Sequence, residues 1–231
     1  VSMAYDAHGN RVGEAHVDVE RNPITGKDGF AGWTSRYDER GNQLEQAYFG
    51  ADGKRTLHKG GYARWTARYD ERGNMIEQTY LGTDDALVLN KDGYARTLVE
   101  YDARGNQIGV EYFGTDQNST LTKGGHARVT AKYDDRGNRI EGAVFDVDDR
   151  PTMDKTGSAS WEARYDERGN PIEVSYFGVD SAPILQKDGF ARVVIEYGDR
   201  NNKIALAYFG RDGQPTLHKD GNARWAAKYD V

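Results

Sequence analysis

The chain has 231 residues, no cysteine, 37% hydrophobic residues and a formal charge of -6, so its core is thin and disulfides, Cys-ligated zinc and thiol catalysis are excluded. The negative charge offers no pull toward nucleic-acid phosphates or anionic lipid. No apolar run is long enough to span a bilayer, and the opening residues VSMAYDAHGN lack the regions of a signal peptide.

Taken in chain order, the elements repeat. Tyrosine stands at Tyr5, Tyr37, Tyr69, Tyr101, Tyr133, Tyr165, Tyr197 and Tyr229, a constant spacing of 32 residues. The same spacing carries asparagine from Asn10 to Asn202 and lysine from Lys27 to Lys219. The spacing divides the chain into seven units, 5–36, 37–68, 69–100, 101–132, 133–164, 165–196 and 197–228, with 229–231 opening an eighth. Unvarying length is what stacking in fixed register requires. The chain starts inside a strand-like run and stops where the next turn would form, so one repeat array over 1–231 is expected, as part of a larger protein.

Each unit contains two strand-like runs. Across the second and third, Ala63 to Tyr69 and Met75 to Leu81 alternate polar with apolar and are rich in aromatic and β-branched residues. Between them stands the heptapeptide RYDERGN, found identically at 36–42, 68–74 and 164–170. It reads as a hairpin tip in which Tyr37, Tyr69 and Tyr165 with Asn42, Asn74 and Asn170 close the turn. Gly41, Gly73 and Gly169 permit its left-handed step, and Asp38 and its neighbours face water. Pairing Tyr69 with Asn74 places Ala67 opposite Ile76, Trp65 opposite Gln78 and Ala63 opposite Tyr80, with Arg68, Thr66 and Glu77 on the other face. Two strands per unit give about fourteen strands. The expected fold is all-β, an elongated solenoid of tandem antiparallel hairpins.

The connections between hairpins, such as 50–61, are long for passive loops. Their recurring apolar residue, Leu57, Leu89, Leu121, Met153, Leu185 and Leu217, is expected to tuck back on the sheet. The lysine column is expected to tether each loop, with Lys59 on Asp52, Lys91 on Asp84 and Lys219 on Asp212.

The motif Y-D-x-R-G-N, as in Tyr37 to Asn42 and Tyr165 to Asn170, resembles the YD repeats of bacterial Rhs and insecticidal-toxin proteins and of teneurins. The resemblance implies hairpins winding into a spiral ribbon within very large surface or secreted proteins, so the cell surface or secretion is favoured over the cytoplasm. It lies at the hairpin tips. It does not cover the connection D-G-x-P-T-L-x-K-D-G, and the family's unit is shorter.

Chemistry finds little purchase. Only His58 and His218 of the five histidines share a column, so no His-based metal or catalytic site is expected. Asp146-Val147-Asp148-Asp149 approaches a calcium loop but lacks its spacing. No catalytic residue, metal or cofactor is expected. Trp33, Trp65, Trp161 and Trp225 share a column in which valine also occurs. That row reads as packing or, alternatively, as a ligand platform for sugar rings. The expected function is a noncatalytic scaffold or spacer that meets a protein partner or neighbouring domains of the same chain, with a carbohydrate-binding module as the alternative.

Overall fold

The computed structural model describes residues 1–229, and the turn expected at Asp230 and Val231 lies outside them. The described residues form fifteen strands: β1 Ser2–Tyr5, β2 Arg11–Ala15, β3 Gly32–Tyr37, β4 Gln43–Phe49, β5 Arg64–Tyr69, β6 Met75–Leu81, β7 Arg96–Tyr101, β8 Gln107–Phe113, β9 Arg128–Tyr133, β10 Arg139–Phe145, β11 Ser160–Tyr165, β12 Pro171–Phe177, β13 Arg192–Tyr197, β14 Lys203–Phe209 and β15 Arg224–Ala226. They lie in one antiparallel sheet in sequence order, β1 to β15. The strand beyond the expected fourteen is the short β15. The chain divides into two compact portions, one holding Val1–Tyr101 with Val110–Lys123, the other Asp102–Gly109 with the residues from Gly124 onward.

The hairpin register differs from the expected one. Trp65 faces Tyr80, Ala67 faces Gln78, Arg68 faces Glu77 and Tyr69 faces Met75. Two steps produce this shift. Asp70, not Tyr69, closes the turn with Asn74 through its backbone N–H, and a bulge follows between Arg68 and Tyr69. Each step moves the pairing by one residue. The total is even, so Trp65, Ala67, Gln78 and Tyr80 still share a face.

Adjacent hairpins are joined at an alanine column. Ala63 donates its N–H to the Leu81 carbonyl at 2.8 Å and accepts from the Tyr48 N–H at 2.8 Å. Ala63, Ala95 and Ala127 are completely buried, and Ala31, Ala159 and Ala191 nearly so. Their complete burial leaves room only for a small side chain.

Beside the alanines runs a ladder of rings. In the first portion Phe30, Tyr48, Tyr62, Tyr80, Tyr94 and Tyr112 follow one another with centroids 4.9, 6.0, 4.7, 5.8 and 4.9 Å apart. In the second portion Tyr176, Phe190, Tyr208 and His218 continue the pattern at 5.9, 4.8 and 4.9 Å. Tilted and edge-on rings at these separations combine area burial with favourable quadrupole contacts. Phe190, Val193 and Ile195 form the buried core there, packed against Tyr176, Leu206 and Tyr208.

Candidate functional site

The repeated heptapeptide is a hydrogen-bonded clamp. In the tip 69–75, Gly73 donates its N–H to the Asp70 carbonyl at 3.1 Å and has φ +84°. The Asp70 carboxylate is the centre of the turn: Oδ1 accepts the N–H groups of Arg72 and Asn74, each at 2.9 Å, and Oδ2 accepts the Asn74 side-chain amide at 2.9 Å. Asp38 and Asp166 do the same with Asn42 and Asn170. The aspartate expected to face water is therefore the group that closes the turn. The Asn42 amide, aided by backbone donors, holds the Asp38 carboxyl below the usual carboxylate range, and Asn74 does so for Asp70.

The other letters tie one tip to the next. Tyr69 donates its hydroxyl to the Gln43 carbonyl of the preceding hairpin at 3.0 Å, Tyr37 to Arg11 at 3.1 Å and Tyr165 to Arg139 at 2.9 Å. The tip arginine reaches forward: Arg40 Nη1 donates to the Glu71 carbonyl at 2.5 Å, Arg136 Nη1 to Glu167 at 3.1 Å and Arg168 Nη1 to Asp199 at 3.0 Å. Tyrosine thus looks back one unit and arginine forward one.

At the seventh tip the left-handed position is Asn201, φ 65°, where the others carry glycine. A Cβ on Gly73 would lie 3.6 Å from Asn42 Oδ1, an ordinary contact, so backbone strain alone decides substitutions there. Gly73→Val is expected to lose about 1–3 kcal/mol. Gly73→Asn should stay within about 0.5 kcal/mol, because asparagine tolerates this region. Urea unfolding of the two variants checks the contrast.

The connections hold two further turns each. In 50–62, Gly53 donates to the Gly50 carbonyl and Gly61 to His58, with Thr56 bonded back to Tyr48. The lysine tether runs to a different aspartate from the one expected. Lys59 Nζ lies 2.6 Å from Asp28 and Lys219 Nζ 2.8 Å from Asp188, in the preceding connection. The backbone explains the choice, since Lys59 N–H also bonds the Asp28 carbonyl at 3.2 Å and Lys219 that of Asp188 at 2.8 Å. Stacked turns bring those two residues side by side.

The leucine column also departs from expectation. Leu57, Leu89, Leu121, Leu185 and Leu217 are 51, 49, 48, 41 and 61% exposed. The alternate residues, Thr56 and Val88 among them, bond back to the preceding strand instead, which turns the leucines outward.

The tryptophan row lies within the sheet. Trp33, Trp65 and Trp161 are partly buried, facing Tyr48, Tyr80 and Tyr176 across their hairpins, and Trp225 is 36% exposed opposite Leu206. Trp65 Nε1 donates to Gln46 at 3.3 Å. Arg11 stands over the Trp33 ring at 5.2 Å and Arg139 over Trp161 at 5.0 Å. The arginine row reaches the glutamates across the sheet, Arg64 to Glu45 at 3.1 Å and Arg96 to Glu77 at 2.9 Å.

One break in the repeat was not legible as a site. The fifth unit carries Gly142, Val144 and Ser158 in the columns that hold Gln78, Tyr80 and Tyr62 in and beside the β5–β6 hairpin. The ring ladder stops there and leaves a cavity of about 40 Å³ beside Trp161 and Arg139. Among the described residues no group of three or more His, Asp or Glu side chains is placed to hold a metal.

No family model matches the chain and no curated protein does. Among solved structures, the crystal structures of TcdB2-TccC3-TEV and TcdB2-TccC3 are each 14% identical with TM-scores of 0.36, over 91 and 90% of this chain and 11% of theirs. The Photorhabdus luminescens Tc holotoxin pore is 13% identical with a TM-score of 0.27, over 93% of this chain and 14% of that one. The chain thus spans about a tenth of the length of the first of these structures.

Proposed function

We propose that the chain is a noncatalytic scaffold, an array of YD-repeat-like hairpins that holds or spaces a protein partner or neighbouring domains. The observation that carries this reading is the use made of the repeated polar residues. The tip aspartates, asparagines and tyrosines, with arginines such as Arg40 and lysines such as Lys59, bond their own turn or the adjoining unit, which is the work of a scaffold rather than of a reaction centre. The exposed leucines, found in one column in five of the seven units and absent from the core, suit contact with protein.

The glycan alternative needs open indole faces. Arginines stand over two of the four rings, which supports the packing role instead. Surface or secreted placement belongs to the same proposal and follows from the YD resemblance alone.

Nearest-neighbour stacking makes a unit removable. Deletion of 69–100 is expected to leave a folded protein with unchanged β-sheet circular dichroism per residue and a modestly lower unfolding midpoint. Complete unfolding of that variant would defeat the scaffold reading, as would hydrolase activity abolished by a single carboxylate substitution. Quenching of tryptophan fluorescence by an oligosaccharide panel would favour the glycan reading.

A further inference from the structure

The chain has fifteen tyrosines and no cysteine, so the oxidative cross-link open to it is tyrosine coupling, not a disulfide. From the ring ladder we infer that the first portion is a modification site for one-electron oxidants, forming dityrosine at two places only, Tyr62–Tyr80 and Tyr94–Tyr112.

The ladder alternates between close and distant pairs. Tyr62 and Tyr80 have centroids 4.7 Å apart with planes tilted by 50°, and Tyr94 and Tyr112 are 4.9 Å apart at 54°. The intervening pairs, Tyr48–Tyr62 and Tyr80–Tyr94, stand at 6.0 and 5.8 Å and are edge-on. Each close pair joins the residue just before an odd strand to the following even strand: Tyr62 precedes β5 and Tyr80 lies in β6, while Tyr94 precedes β7 and Tyr112 lies in β8. The sheet holds each pair in place, so coupling needs no diffusional encounter. The Tyr80 hydroxyl donates to Gln78 Oε1 at 2.8 Å, a polar neighbour for the proton released on oxidation.

The chemistry balances with a named oxidant. Each phenol gives one electron and its hydroxyl proton to become a tyrosyl radical. The two radicals join through a carbon–carbon bond ortho to the oxygens. The two ortho hydrogens leave as protons while both hydroxyls are restored from solvent. The net change is loss of two electrons and two protons per link. With a photoexcited ruthenium polypyridyl complex, persulfate accepts the two electrons and becomes two sulfate ions; a peroxidase-type oxidant would supply the same two steps.

The second portion contains its own control. Phe190 and Tyr208 stand at 4.8 Å and 45°, the geometry of the reactive pairs with one hydroxyl missing. Val144 and Ser158 remove rings elsewhere.

Dilute protein would be photo-oxidised with ruthenium and persulfate, then analysed by dityrosine emission and peptide mapping. The expected products are linked peptides for Tyr62–Tyr80 and Tyr94–Tyr112 within single chains, each linked pair having lost two hydrogens in total. Tyr62→Phe and Tyr94→Phe should each abolish one link and spare the other, with circular dichroism confirming the fold. Phe190→Tyr should add a third link to Tyr208, a gain that misfolding cannot mimic. Coupling only between chains, coupling centred on the exposed Tyr5 and Tyr229, or a Phe190→Tyr variant with no new link would overturn the inference, as would the absence of dityrosine.

Discussion

Tyr80→Ala is expected to lower the free energy of unfolding by about 3–5 kcal/mol, against about 1 kcal/mol for Tyr80→Phe. Tyr80 is 8% exposed and sits between two rings, Tyr62 at 4.7 Å and Tyr94 at 5.8 Å. It also faces Trp65 across the hairpin. Truncation therefore opens a cavity with aromatic walls, and those walls cannot close it, because the alanine column fixes the strands on either side by paired backbone bonds. Phenylalanine keeps the ring and loses only the hydroxyl's bonds, that to Gln78 among them. Leu89→Ala supplies the contrast: at 49% exposure it should change stability by no more than about 0.5 kcal/mol. Urea unfolding of the three variants tests the ladder as the core, and equal losses for Tyr80→Ala and Leu89→Ala would show that it is not.

The same ladder marks how far the sequence could be read. Period, strands and antiparallel hairpins follow from columns of identical residues and from alternation at fixed spacing, both properties of single residues along the chain. Register depends on a hydrogen bond between Asp70 and Asn74 and on a bulge at Tyr69. Nothing in side-chain alternation marks either, and their even sum left the faces intact while every partner changed. The lysine partner was missed for a related reason. Asp52 is nearer than Asp28 in sequence, but stacking of successive turns brings residues about one unit apart into contact, as Lys59 and Asp28 show. Leucine orientation failed on alternation itself, since in 55–59 the inward positions belong to Thr56 and His58 rather than to the most apolar residue. In the heptapeptide, glycine announces its left-handed turn by residue type alone. The forward bond of Arg40 and the backward bond of Tyr69 are contacts between units and carry no local signal.

Acid should unfold the protein through its repeated tips. The carboxyls of Asp6, Asp38, Asp70, Asp102, Asp134 and Asp166 are all held below the ordinary carboxylate range, first by the side-chain amide of Asn10, Asn42, Asn74, Asn106, Asn138 and Asn170 and then by backbone N–H groups. A depressed folded value means that the unfolded chain takes up protons first as pH falls. The stabilisation is fully present above the unfolded carboxylate value of about 4 and is lost as pH drops through the folded values. Because one device recurs along the array, proton uptake on unfolding should involve several groups, and the urea midpoint should stay flat near neutrality and fall steeply in acid. Asp28 and Asp188 add to the same limb through their lysines. Asp→Asn at Asp38, Asp70 and Asp102 together should flatten that limb at some loss of stability at neutral pH, since the amide keeps an acceptor for the backbone but not the second oxygen that receives the asparagine. An acid limb of undiminished slope in this triple variant would assign acid sensitivity to other carboxylates and remove the clamp from the account of stability.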